Sequence, residues 1–128
     1  MADGVEGLKV FHLAYALSLD LHRASLTWPK VEQYGGIADQ VRRSSKAVCA
    51  LLAEGVGRSR ASRKEFDRYL VMALGSADES RLWCKYAEDL GYAPGEQATA
   101  WRASCAEVAR MLQGLLARQR QGQESPDR

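Results

Sequence analysis

The sequence predicts an all-α protein, an up-and-down antiparallel four-helix bundle. Three observations carry this: apolar residues recur at steps of three and four in four successive segments, no segment alternates with the period of two that a strand requires, and the breaks between segments are short. Short connections make consecutive helices antiparallel neighbours. With 128 residues, 46% of them hydrophobic and 27% charged, the chain is long and apolar enough for one core and excludes a mostly disordered polymer.

In the first helix Leu8, Phe11, Tyr15, Leu19, His22 and Leu26 follow one face, and Pro29 with the polar residues after it closes the segment. A second stripe, Val10, Leu13, Leu17 and Leu21, lies roughly 155° around the helix from the first, at 100° per residue. A helix in a small monomeric bundle needs one apolar face. The first stripe is therefore assigned to the core and the second to contact with another subunit.

Ile37, Val41, Ser45, Val48 and Leu52 form the inward stripe of the second helix, with Gly55 and Gly57 as its stop after Glu54. Ser62-Arg63-Lys64-Glu65 has the form of a capping box, and Glu54 is expected to pair with Arg58 or another nearby basic residue. Phe66, Leu70, Ala73, Ala77, Cys84 and Ala87 mark the third helix up to Gly91, with Gly75 among small residues that suit close packing. Pro94 fits a first turn before Ala98, Trp101, Cys105, Val108, Leu112 and Leu115. Residues 1–118 form the bundle domain in this reading, and Gln119 to Arg128, polar with Gly122 and Pro126, a disordered tail.

Chemistry-bearing patterns are sparse. Cys49, Cys84 and Cys105 are an odd number without a C-x-x-C spacing, and His12 and His22 stand ten positions apart, so neither a metal site nor a disulfide framework is signalled. His22, in the stripe assigned to the core, reads as a hydrogen-bonded structural histidine. No Glu-x-x-His of a di-iron bundle, phosphate-binding glycine loop or nucleophile elbow occurs. The expectation is no enzyme, no cofactor and no metal. No apolar run approaches the roughly 18 residues of a membrane span, and Met1-Ala2-Asp3 lacks the basic start of a signal peptide, which implies a cytoplasmic protein without a membrane partner.

The net charge of +2 hides a block. Residues 40–70 contain eight Lys or Arg against three Asp or Glu, whereas the flanking segments are slightly acidic. Arg42, Arg43, Lys46, Arg58, Arg60, Arg63, Lys64 and Arg68 are thus the candidate contacts to a polyanion, since guanidinium and ammonium groups bond phosphate and release its counterions. No exposed aromatic set for base stacking is evident.

The segments Trp28-Pro29-Lys30, Tyr34-Gly35, Gln40-Val41-Arg42-Arg43, Ala53-Glu54-Gly55-Val56-Gly57-Arg58, Lys64-Glu65-Phe66-Asp67-Arg68-Tyr69-Leu70, Ala73-Leu74-Gly75-Ser76 and Leu90-Gly91-Tyr92 occur in a familiar order. Together they resemble the four-helix bundle protein family, which includes proteins encoded in intervening sequences of bacterial large-subunit ribosomal RNA genes and is similar to the accessory variability proteins of diversity-generating retroelements. The resemblance runs from Leu8 to Arg118. It implies a bundle that assembles into a ring-like homopentamer, with a basic surface toward nucleic acid or a nucleic-acid-processing partner. The family often has Ser-Ile-Pro-Ser-Asn-Ile before Ala-Glu-Gly. Here Ala47-Val48-Cys49-Ala50-Leu51-Leu52 stands instead, so any role of that asparagine does not carry over.

The function expected is a non-enzymatic, oligomeric nucleic-acid-binding or ribonucleoprotein accessory protein, its basic surface at residues 42–68 taking RNA or DNA and Val10, Leu13, Leu17 and Leu21 forming the oligomer interface. The alternative is a scaffold whose apolar helix faces bind a partner polypeptide.

Overall fold

The computed structural model describes residues 4–124. Four helices, α1 (Lys9–Ser25), α2 (Ile37–Arg58), α3 (Arg63–Asp89) and α4 (Gly95–Glu124), follow one another, with short 3-10 turns at Val5–Gly7 and Lys30–Glu32. No strand occurs among the described residues. α1 packs on α2 and α4, and α3 packs on α2 and α4, so α1 and α3 lie across the diagonal of the bundle. α4 runs on to Glu124, so the segment expected to fray from Gln119 is helical for six residues, and 125–128 lie outside the described residues, as do Met1-Ala2-Asp3.

The helix boundaries follow local chemistry. Ser62 caps α3, its hydroxyl accepting the Glu65 N–H at 3.2 Å. The capping box is only half made, because the Ser62 N–H donates to the Arg58 carbonyl and the Glu65 carboxylate turns to arginines. α3 ends in a Schellman motif: Gly91, at φ 78°, donates to Glu88 O at 3.0 Å and Tyr92 donates to Ala87 O at 2.8 Å. Gly55 does not stop α2, which continues for another turn. It is buried where α2 meets α3, and a Cβ there would sit 2.8 Å from the Cβ of Tyr69, so only a glycine permits this approach. Gly75, expected at a close packing contact, instead faces open space.

Two clusters make the core. At the end holding the α1–α2 and α3–α4 connections, Leu17, Leu21, Trp28, Ile37, Val41, Trp101 and Cys105 pack with alanines. Toward the α2–α3 turn, Val10, Val48, Leu52, Leu70, Val108, Leu112 and Leu116 pack, and Leu116 rather than Leu115 takes the buried position. Between them Ser44 and Ser80 hydrogen-bond across α2 and α3 at 2.8 Å, satisfying each other in a buried site.

α1 reverses the expected assignment of its two stripes. Val10, Leu17 and Leu21 are buried in the core of a single chain, with Leu13 half-buried beside them, so these residues are not a free face for a second subunit. The stripe left outward is Tyr15, Leu19 and Leu26, with Tyr15 50% exposed and stacked at 5.7 Å on Phe11, which is half-buried against the core. Two opposed apolar stripes have the same period, so periodicity alone does not tell which one meets the other helices. His22 belongs to the outward stripe and is half-exposed, which corrects its expected place in the core.

Candidate nucleic-acid interface

The eight basic residues of the block separate into groups with different duties. Arg42 is held inside the fold: one terminal nitrogen donates to Ser25 Oγ at 2.8 Å and the other to Gln33 Oε1 at 3.0 Å. It ties the end of α1 to the connection before α2, which removes it from the candidate phosphate contacts. Arg43 projects into solvent, with Nε donating to Asp39 Oδ1 at 3.1 Å. Lys46 donates to His22 Nδ1 at 3.0 Å, a bond that needs the neutral imidazole. Burial, then the charges of Lys46, Arg42 and Arg23, hold His22 below its ordinary pKa.

The remaining five lie at the α2–α3 turn, roughly 22 Å along α2 from Arg43 at 1.5 Å per residue. Arg58 and Arg68 flank the buried ring of Tyr69, their guanidinium carbons 5.3 and 5.0 Å from its centroid. Arg58 also meets Glu54 at 3.2 Å and Glu65 at 3.8 Å, and Arg68 meets Glu65 at 3.2 Å. The Tyr69 hydroxyl donates to Glu54 Oε2 at 2.8 Å, which together with Arg58 holds the Glu54 carboxyl below the usual range and pushes the Tyr69 phenol up. Glu54 has its expected basic partner in Arg58, as the first link of an open run Glu54–Arg58–Glu65–Arg68 beside the Tyr69 ring.

Arg60, Arg63 and Lys64 stand apart from that run. All three are exposed, and among the described residues none has a carboxylate within salt-bridge distance or a side-chain hydrogen bond. The antiparallel topology brings exposed Lys9 from the start of α1, and Arg118 and Arg120 from the last turns of α4, to the same end. Sequence position hides these three, since they join the block only through the fold. The block thus divides into a structural arginine, two solvent-facing cations beside α1, and a cationic turn.

Elsewhere the reactive groups are engaged in packing. Cys84 and Cys105 are buried and their thiols meet between α3 and α4; that contact and burial push the Cys84 thiol far up, while Cys49 is half-buried. Among the described residues no three His, Cys, Asp or Glu side chains cluster as metal ligands, and no helix is long and apolar enough to cross a membrane.

The fold and this turn define a class: a small antiparallel helical bundle that concentrates cations at one end. Within that class the assignment is specific. The chain belongs to the family described as 23S rRNA-intervening sequence protein, whose family model matches residues 6–114. Among solved structures it is similar to the crystal structure of a protein with unknown function from the S23 ribosomal protein family of Bacteroides thetaiotaomicron. The TM-score is 0.73 at 18% identity, over 84% of this chain and 97% of that one, which shows a shared fold. No curated protein matches this sequence.

Proposed function

We propose that the protein is a non-enzymatic nucleic-acid-binding or ribonucleoprotein accessory module of the cytoplasm, working as a homo-oligomer that holds RNA or DNA by its phosphates. The observation that carries this reading is the α2–α3 turn, where Arg60, Arg63 and Lys64 are exposed beside a rigid core and lack acidic partners. Cations without intramolecular partners lose little when they meet phosphate, and each contact releases counterions. A family linked to intervening sequences of 23S rRNA gives RNA first place among the ligands.

Assembly multiplies the turn. The resemblance implies a pentameric ring, and a ring needs two different faces on each subunit. α1 offers Tyr15, Leu19 and Leu26 outward; diagonally opposite, α3 offers Val71, Leu82, Tyr86 and Leu90. Both faces are apolar, and they point away from each other. These residues, in place of Val10, Leu17 and Leu21, are the interface of the proposed oligomer. Several weak cationic turns on one ring then gain avidity for an extended ligand.

Fluorescence titration of hairpin RNA and duplex DNA at about 50 and 200 mM salt tests the reading, with a steep loss of affinity expected at the higher salt. Replacing Arg60, Arg63 and Lys64 together by Ser should weaken binding and flatten the salt slope. In light scattering the same variant should keep the oligomer, while Tyr15→Glu with Leu26→Glu should dissociate it by placing carboxylates in an apolar contact. The outward face of α1 favours one second reading, a scaffold for a partner polypeptide. It takes over if neither nucleic acid is retained at low salt and the unmodified protein is a monomer.

A further inference from the structure

The connection between α1 and α2 is tied down along its length. Gln33 Nε2 donates to the carbonyls of Ser25 at 2.8 Å and Trp28 at 3.0 Å, and Arg42 holds the Gln33 side-chain oxygen. Glu32 accepts the Ile37 N–H at 2.9 Å with one oxygen and the Tyr92 hydroxyl at 2.7 Å with the other. Asp39 likewise uses both oxygens, taking the Gly35 N–H at 2.9 Å and Arg43 Nε at 3.1 Å. The residues on each side of Tyr34 are thus fastened to the start of α2. Tyr34 itself is 88% exposed, and among the described residues its hydroxyl makes no hydrogen bond.

We infer that Tyr34, with Arg43 beside it, is a stacking site for an unpaired nucleobase. An aromatic ring held in water on a fastened segment has already lost the chain entropy that ordering would cost, so a flat apolar partner meets a prepared surface. Asp39 ties the Arg43 guanidinium to the residue next to Tyr34, and this bond uses only Nε. The two terminal nitrogens stay free for a phosphate next to the stacked base, and Arg43 is 75% exposed. Ring and guanidinium together match one nucleotide of a single strand, whose base is free to stack where a duplex keeps its bases inside. This inference rests on the nucleic-acid reading above but concerns the opposite end of the bundle. The cationic turn would hold backbone, and Tyr34 a base.

The test uses the full chain and three fluorescein-labelled probes at about 50 mM salt: a short oligo-uridine, an oligo-thymidine of equal length, and a blunt duplex. Tyr34→Ala should weaken one or both single-strand probes by about ten-fold, leave the duplex unchanged, and be rescued by Tyr34→Trp. Loss on oligo-uridine alone assigns the site to RNA, and equal loss assigns it to the base whatever the sugar. The exposed side chain makes unfolding a poor explanation for any loss, and circular dichroism checks it. Unchanged single-strand affinity, an equal loss on the duplex, or failure of Tyr34→Trp to restore binding overturns the inference. So does a lowered mass in light scattering with affinity unaltered, which would make Tyr34 a contact between copies. If duplex binding depends on Arg60, Arg63 and Lys64 while Tyr34→Ala is silent, this inference alone fails. If single-strand binding depends on Tyr34 and not on those three, the cationic-turn reading alone fails. If no probe binds the unmodified protein, both fail.

Discussion

At the end of the bundle where α1 meets α2, Gln33 donates to main-chain carbonyls, Glu32 and Asp39 accept main-chain N–H groups, and Arg42 holds Gln33 and Ser25, whereas at the α2–α3 turn Glu54, Arg58, Glu65 and Arg68 bind one another. The first arrangement fixes the path of a connection around Trp28, Tyr92 and Trp101, which cluster below it at 6.0 and 6.3 Å. The second leaves charges in water that can exchange partners. Half-exposed ion pairs contribute little to stability, so the turn can be rearranged by a polyanion with little loss of fold. The lesson is that a cation count does not measure a binding surface: Arg42 and Arg60 are equal in charge and opposite in use.

The sharpest way to break this comparison is Arg42→Ala. Ser25 and Gln33 would lose charge-assisted partners at the end of α1, and stability should fall by about 2–3 kcal/mol in urea unfolding. Binding per folded molecule should stay as it was. An unchanged midpoint with weakened nucleic-acid binding would return Arg42 to the phosphate contacts and erase the division between the two ends.

A smaller effect is expected at the other end. Ser62→Ala removes the hydroxyl that accepts the Glu65 N–H, and about 1 kcal/mol should be lost, within the usual range for a helix N-cap. The half-made capping box places the value toward the low side. A loss as large as that of Arg42→Ala would mean that the turn is as firmly built as the α1–α2 connection.

The smallest effect is a pH dependence. Folded His22 resists protonation, while in the unfolded chain it takes a proton near its ordinary value of 6.5. Stability from this group is present above that value and declines as pH falls below it, because the unfolded state then binds more protons. Between about pH 7 and 5 the unmodified protein should lose stability slightly and His22→Gln should be flatter. Keeping above pH 5 separates this from Asp39 and Glu54, whose lowered carboxyls lose their stabilising contribution only at more acid pH. Equal slopes for both proteins would place His22 outside the Lys46 contact.

Much of the fold is legible in the order of residues, and the limits have physical causes. The α2 stripe Ile37, Val41, Ser45, Val48 and Leu52 is buried throughout because only one face of that helix is apolar. α1 misleads because both its faces are, and the choice between them depends on α2 and α4. Gly55 looks like a helix stop, since glycine often ends helices, yet its reason is the Tyr69 Cβ on another helix. Of the site, the Glu54–Arg58 pair and the Ser62 cap are visible at their spacing. The inward turn of Arg42 is not, because its partner Ser25 is 17 positions away. Nor is Tyr34, whose exposure comes from the bonds that hold its neighbours; an aromatic directly before Gly35-Gly36, a pair that favours turns, is the signal that would have found it.

The up-and-down path of the chain has a practical result. α1 begins and α4 finishes at the end that carries the α2–α3 turn, while Tyr34 lies at the far end. A bulky label or solid support joined through the last turn of α4 would crowd Arg60, Arg63 and Lys64 and leave the ring of Tyr34 facing the bath. Surface-immobilised measurements and free-solution measurements would then report different halves of the same molecule, and a disagreement between them would map the two ends without any substitution.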